Sequence, residues 1–221
     1  MTQQFEQELA NLRREFIAHA TMCFEALERA HETLRDRNLA LAKQVIEGDD
    51  RVDEAEIRIE TECVRLMTLY HPVAHDMRML VTLLKLNYDL ERIADHASTI
   101  CWLVSRIIHR GGGIPPHLLE LSQNVVTNSR AVFQAFLDGD VERARAVVRG
   151  DVAVDALDRT VRHEVHDLLA RDGEVSSALH VYRISRELER VGDHLANMAE
   201  DTIYMITGEI VRHHAMTGPA A

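Results

Sequence analysis

Apolar side chains recur at intervals of three and four residues from the start of the chain: Phe5, Leu9, Leu12, Phe16, Ala20, Cys23, Leu27, Ala30 and Leu34. That period lays them along one stripe, so the pattern predicts an amphipathic helix over about residues 5 to 36. Asp36-Arg37-Asn38 interrupts it, and a second helical run extends from Leu39 to Tyr70, with Gly48-Asp49 as a kink or a fresh start. His71-Pro72 closes that run, because the residue before a proline avoids the helical region while proline suits a first helical turn. A third helix is expected from Pro72 to about Arg110. The chain's strongest cluster of helix breakers, "RGGGIPP" at 110–116, then separates two halves. Three more helices fit beyond it, over about 117–137, 140–170 and 175–212, before a tail, "TGPAA". The expected fold is all-α, a tandem repeat of two three-helix bundles over residues 1–111 and 112–214, with 215–221 as a flexible tail.

The halves echo one another in sequence as well as in pattern. "VIEGDDRVDEAE" at 45–56 aligns with "VVRGDVAVDALD" at 147–158, an offset of 102. "LERIADH" at 90–96 aligns with "LERVGDH" at 188–194, an offset of 98. Four residues are therefore missing from the second hairpin, between its acidic stretch and its LER phrase.

Composition supports the helical reading, with ten Gly, four Pro and only 5% aromatic residues. The net charge of −11 argues against a nucleic-acid partner, which needs a basic face, and is compatible with binding cations. No apolar stretch approaches the roughly 18 to 20 residues that span a bilayer. The N-terminus lacks the basic-then-apolar order of a secretory signal, so a cytoplasmic location and no membrane insertion are expected. Cys23, Cys63 and Cys101 are scattered among apolar neighbours and read as reduced core thiols.

Acidic pairs four residues apart recur in both halves: Asp49/Asp53 and Glu91/Asp95 in the first, Asp151/Asp155 and Glu189/Asp193 in the second. Residues at that spacing share a helix face, where two like charges repel. The hairpins also bring the pairs level. Asp53 lies about 18 residues before the first turn and Glu91 about 20 after it; Asp49 and Asp95 lie about 22 and 24 away. In the second half Asp155 and Glu189 are each about 17 residues from the turn, and Asp151 and Asp193 about 21. Four converging carboxylates must be protonated, paired with Arg or bridged by a cation. A hard or borderline divalent or trivalent metal ion (Fe, Zn, Mn or Mg) fits an all-carboxylate donor set best. Salt bridges to Arg51, Arg92 and Arg190 are the plainer alternative, and a general acid/base pair is the remaining one.

The neighbouring residues have separate expectations. His96 and His194 follow the last acid of each phrase and point beside the acidic face, as supporting or surface residues more than as ligands. Asp89 and Glu187 sit on another face and are expected to be solvated. Ala94 and Gly192 are small enough to admit a close neighbour. His109, His163, His166, His213 and His214 are expected on the surface, and Glu28-x-x-His31 is half of a di-iron pattern that has no second copy.

"HPVAHDMRMLVTLLKLNYDLERIADHASTI" at 71–100, "SRELERVGDHLANMAE" at 185–200 and the GDxxVD stretches at 48–53 and 150–155 resemble the PhoU family over about residues 5–212. The resemblance implies two tandem three-helix bundles whose E/D-x-x-x-D motifs hold mono- or multinuclear metal clusters, here on Asp49, Asp53, Glu91, Asp95, Asp151, Asp155, Glu189 and Asp193. It implies a cytoplasmic regulator with no catalysis of its own, often a homodimer. Such a regulator damps phosphate uptake and starvation signalling through the ATPase subunit of a phosphate ABC transporter and a phosphate-sensing histidine kinase. The alternative function is a metal-dependent oxidoreductase or hydrolase on a helical bundle. Ala94 stands where the family usually carries glycine, so the first cluster is expected to be the looser. His71 stands where glutamine is common, at a tolerant turn position.

Overall fold

The hydrophobic stripes are wide enough to bury each helix on two or three neighbours, and that requirement sets the architecture. A computed structural model describes residues 3–172 and 175–211. It contains six helices in chain order: α1 Gln3–Asp36, α2 Leu39–Tyr70, α3 Ala74–His109, α4 Pro116–Asp138, α5 Val141–Asp172 and α6 Val175–Thr207. Helices α1, α2 and α3 pack on one another in the first half, and α4, α5 and α6 in the second.

Local chemistry fixes the ends. Asn38 caps α2, its side-chain oxygen accepting from the backbone N–H groups of Ala40 and Leu41 at 3.1 and 3.2 Å. His71 ends α2 in a left-handed conformation and donates its N–H to the Met67 carbonyl, 3.2 Å. The chain then runs extended through Val73, so α3 begins at Ala74 rather than at Pro72. Helix α2 runs unbroken through Gly48-Asp49, where a kink was open on sequence grounds. The last helix is shorter than its expected end near 212. Gly208, at φ +79, adopts the left-handed cap that an L side chain resists, its N–H reaches the Tyr204 carbonyl, and α6 stops at Thr207. Residues 215–221, expected to form a loose tail, lie outside the described residues, as do His213 and His214.

The two bundles share one hydrophobic core running from Phe5 to Met205. At one contact α1 meets α4: the rings of Phe16 and Phe136 lie 5.2 Å apart and those of Phe24 and Phe133 5.4 Å. Buried His31 shares a 2.7 Å hydrogen bond with Ser122 at the same contact, and Glu28 accepts from Arg130. Both residues of the lone Glu28-x-x-His31 pattern are thus used in joining the halves.

At the larger contact α3 and α6 run antiparallel. Successive level pairs are Lys85 with Asp201, Asp89 with His194, His96 with Glu187 and Trp102 with His180. The α3/α6 seam therefore lies between the two LER phrases, and it places the two sets of acids at the same height on either side of it. No described helix is long and apolar enough to cross a membrane. The three cysteines are free and buried, as their apolar neighbours suggested.

Candidate functional site

The site grows from the GDxxVD stretches of α2 and α5 and the LER phrases of α3 and α6. In the first half Asp53, Glu91 and Asp95 each offer an oxygen within 4.8 Å of the others. Asp49 joins them from one turn earlier on α2, accepting a hydrogen bond from Ser98 and feeling the charges of Asp95 and Asp53. Burial and then those neighbouring anions push the Asp49 carboxyl up to about 6. Burial and then the charge of Asp95 push Glu91 up to about 7. The level pairing inferred from the hairpin arms therefore holds in three dimensions.

The second half repeats the arrangement more loosely. Burial, followed by the charges of Asp193, Asp155 and Glu189, pushes Asp151 up to about 6. Glu189 and Asp193 are raised as well, in each case chiefly by burial. The Glu189 Oε2 atom is buried and makes no hydrogen bond among the described residues. Gly192 makes the close approach of α5 possible: a Cβ there would meet Val154 Cγ1 at 2.9 Å and Asp151 Oδ1 at 3.4 Å. The equivalent Ala94 is itself 98% buried, yet the tightest carboxylate group lies in its half, the one expected to be looser.

Arginine covers these acids thinly. Arg92 approaches Glu91 at 3.0 Å and Asp95 at 3.1 Å. Arg51 and Arg190, the other expected partners, make no ion pair among the described residues, although Arg190 contributes to holding down Asp193. In the second half Arg186, unremarked in the sequence, meets Glu189 at 2.9 Å and Asp158 at 3.5 Å. One guanidinium against four carboxylates leaves each cluster strongly negative. An all-oxygen donor set of that charge, with raised pKa values and one orphaned buried oxygen, suits a hard cation and the protons that would replace it.

Two features escaped the sequence reading. Asp158 is buried, accepts from Ser185 and pairs with Arg162 at 2.9 Å. It sits one further turn along the face of Asp151 and Asp155 and aligns with Glu56, which was the available signal. Asp89 and Glu187, expected to be solvated, are only 7% and 9% exposed. Each meets the histidine of the opposite phrase: His194 lies 2.8 Å from Asp89 and His96 2.7 Å from Glu187. The bond from His96 holds the Glu187 carboxyl below its usual range against the opposing effect of burial. The two imidazoles lie 5.7 Å apart at the centre of the seam. His96 and His194 thus support the LER phrases from across the interface, while His109, His163 and His166 are exposed as expected.

Similarity to known proteins extends over both halves of the chain. A family model described as the PhoU domain matches residues 19–104 and again 118–202. The phosphate-specific transport system accessory protein PhoU homolog of Pseudomonas aeruginosa is 32% identical over 221 residues, covering 98% of this chain and 91% of its own. The PhoU homolog 1 of Thermotoga maritima, likewise named as a phosphate-specific transport system accessory protein, is 32% identical over 210 residues, 93% of this chain and 90% of its own. The crystal structure of PhoU from Pseudomonas aeruginosa superposes with a TM-score of 0.87 at 30% identity, covering 93% of this chain and all of the other.

Proposed function

This chain belongs to the PhoU family, and on that premise we propose that it is a cytoplasmic regulator of phosphate uptake and phosphate-starvation signalling. It acts as an adaptor between the ATPase subunit of a phosphate ABC transporter and a phosphate-sensing histidine kinase, as a homodimer and without catalysis of its own. The observation that carries this reading is the match of the family model to both halves, joined to relatives of nearly equal length named for an accessory role in phosphate transport.

The acidic clusters belong to the same proposal. Asp49, Asp53, Glu91 and Asp95 would hold one cation site, and Asp151, Asp155, Glu189 and Asp193 the other. A divalent or trivalent ion (Fe, Zn, Mn or Mg) bound there would supply the positive charge that a single arginine per cluster does not. These residues would then pin α2 to α3 and α5 to α6, turning repulsive faces into fixed ones against which a partner can dock. The three carboxylates within 4.8 Å and the orphaned Glu189 Oε2 support that assignment.

The regulatory role is tested by passing the purified protein over the immobilised ATPase subunit of the phosphate transporter from the same cell, with and without nucleotide and phosphate. Retention in at least one condition is expected. Failure to bind in every condition, with both proteins folded, contradicts the adaptor reading.

A further inference from the structure

The seam between α3 and α6 is not electrostatically uniform. At the end nearest the linker, Arg106 and Arg110 project from the close of α3 and Arg183 from the third turn of α6, all exposed. They surround His180, whose imidazole is held below its usual pKa by burial and then by the charges of Arg110, Arg106 and Arg183. The Arg106 guanidinium lies 4.8 Å over the Trp102 ring, and Trp102 meets His180 edge-on at 6.5 Å. Around this core Trp102 is 43% exposed, Leu179 51% and Tyr182 38%.

These cations are thinly countered among the described residues. Arg106 and Arg110 make no ion pair among the described residues. Arg183 comes no nearer than 3.9 Å to Glu187, a carboxylate already held by His96. Such a convergence runs against the net charge of −11. The repeat does not demand it either. At the offset of 98, Trp102 corresponds to Glu200 and Arg106 to Tyr204, and Leu103 corresponds to Asp201, which pairs with Lys85. At the other end Lys85 lies 5.5 Å from the Tyr204 ring centroid but is already paired with Asp201 at 3.0 Å, so it is at the linker end that arginines converge beside an exposed tryptophan.

We propose that this patch docks an acidic segment of a partner protein, with carboxylates meeting Arg106, Arg110 and Arg183 and an apolar side chain covering Trp102, Leu179 and Tyr182. Trp, Tyr and Arg are the residue types that carry most of the energy of protein interfaces. A nucleic-acid backbone or an anionic lipid surface draws on a longer run of basic residues than three, and a small inorganic anion has no use for an apolar floor. The inference depends neither on metal in the clusters nor on the transport assignment.

Trp102 is the chain's single tryptophan, so its emission reports on the patch directly. The full chain is titrated with a short synthetic peptide of Asp, Glu, Leu and Ala that carries no aromatic residue. A saturable blue shift is expected, with affinity falling on the order of tenfold in Arg106→Glu/Arg183→Glu and again as salt is raised to about 0.3 M. Arg106→Gln/Arg183→Gln, a milder change at the same exposed positions, serves if charge reversal perturbs the fold by circular dichroism. The proposal is overturned by the absence of a saturable shift or by a shift that survives the folded variants unchanged. It is equally overturned by a shift given by phosphatidylserine vesicles or inorganic phosphate but not by the peptide.

Discussion

Glu91 and Asp49 show what the clusters cost the folded chain. Their carboxyls sit at about 7 and about 6, and Asp151 at about 6, above ordinary unfolded values near 4. Between about pH 4 and 7 the folded chain therefore binds more protons than the unfolded one, and the contribution of these groups to stability falls as pH rises. Their destabilising effect is absent below the unfolded pKa values and complete above the folded ones. In chelator-treated protein, Asp49→Asn with Glu91→Gln is expected to raise the melting temperature at pH 8 by about 2 to 4 °C, after about 1 kcal/mol of relief discounted for solvent screening. The same variant should flatten the pH dependence between pH 5 and 8. A melting temperature lowered by the double substitution would mean that Arg92, not repulsion, dominates the site.

Among the helices, the α5/α6 contact is the most sensitive to a single atom. A methyl group at Gly192 would stand 2.9 Å from Val154 Cγ1, and both residues are buried. Gly192→Ala is expected to cost about 1 to 3 kcal/mol through overpacking and to weaken cation binding in the second half by moving Asp151 away from Asp193. Thermal unfolding and a metal titration of the variant check both effects. An unchanged melting temperature would show that α5 can retreat freely.

Much of this element-scale picture was legible in the chain. The level acids follow from a helix rise and two turn positions, and the two copies of the LER phrase mark the repeat. The partners of Asp89 and Glu187 were hidden because they come from the opposite half, and nothing in a single helix's periodicity states how two bundles dock. The end of α6 was missed for a local reason: apolar periodicity continues through Ile210 and Val211, but the left-handed Gly208 stops the helix first.

At the scale of the whole molecule the linker at 110–115 separates two sequence repeats without separating two cores. The rings shared by α1 and α4 and the crossed histidine–carboxylate pairs of α3 and α6 tie the halves together, so the two clusters stand at fixed positions on one body. Under the proposed function, that fixed spacing would let a partner meet both clusters at once. The proposed role of the clusters rests on their taking up cations. The most direct test is elemental analysis by mass spectrometry of protein loaded in turn with Fe, Zn, Mn and Mg and then desalted, set beside Asp95→Ala/Asp193→Ala. Retention of at least one of these metals by the natural chain, and its loss together with a lowered melting temperature in the variant, is the predicted result. A natural chain that retains no metal after supplementation, with a variant equally stable and equally able to bind its partner, would contradict it.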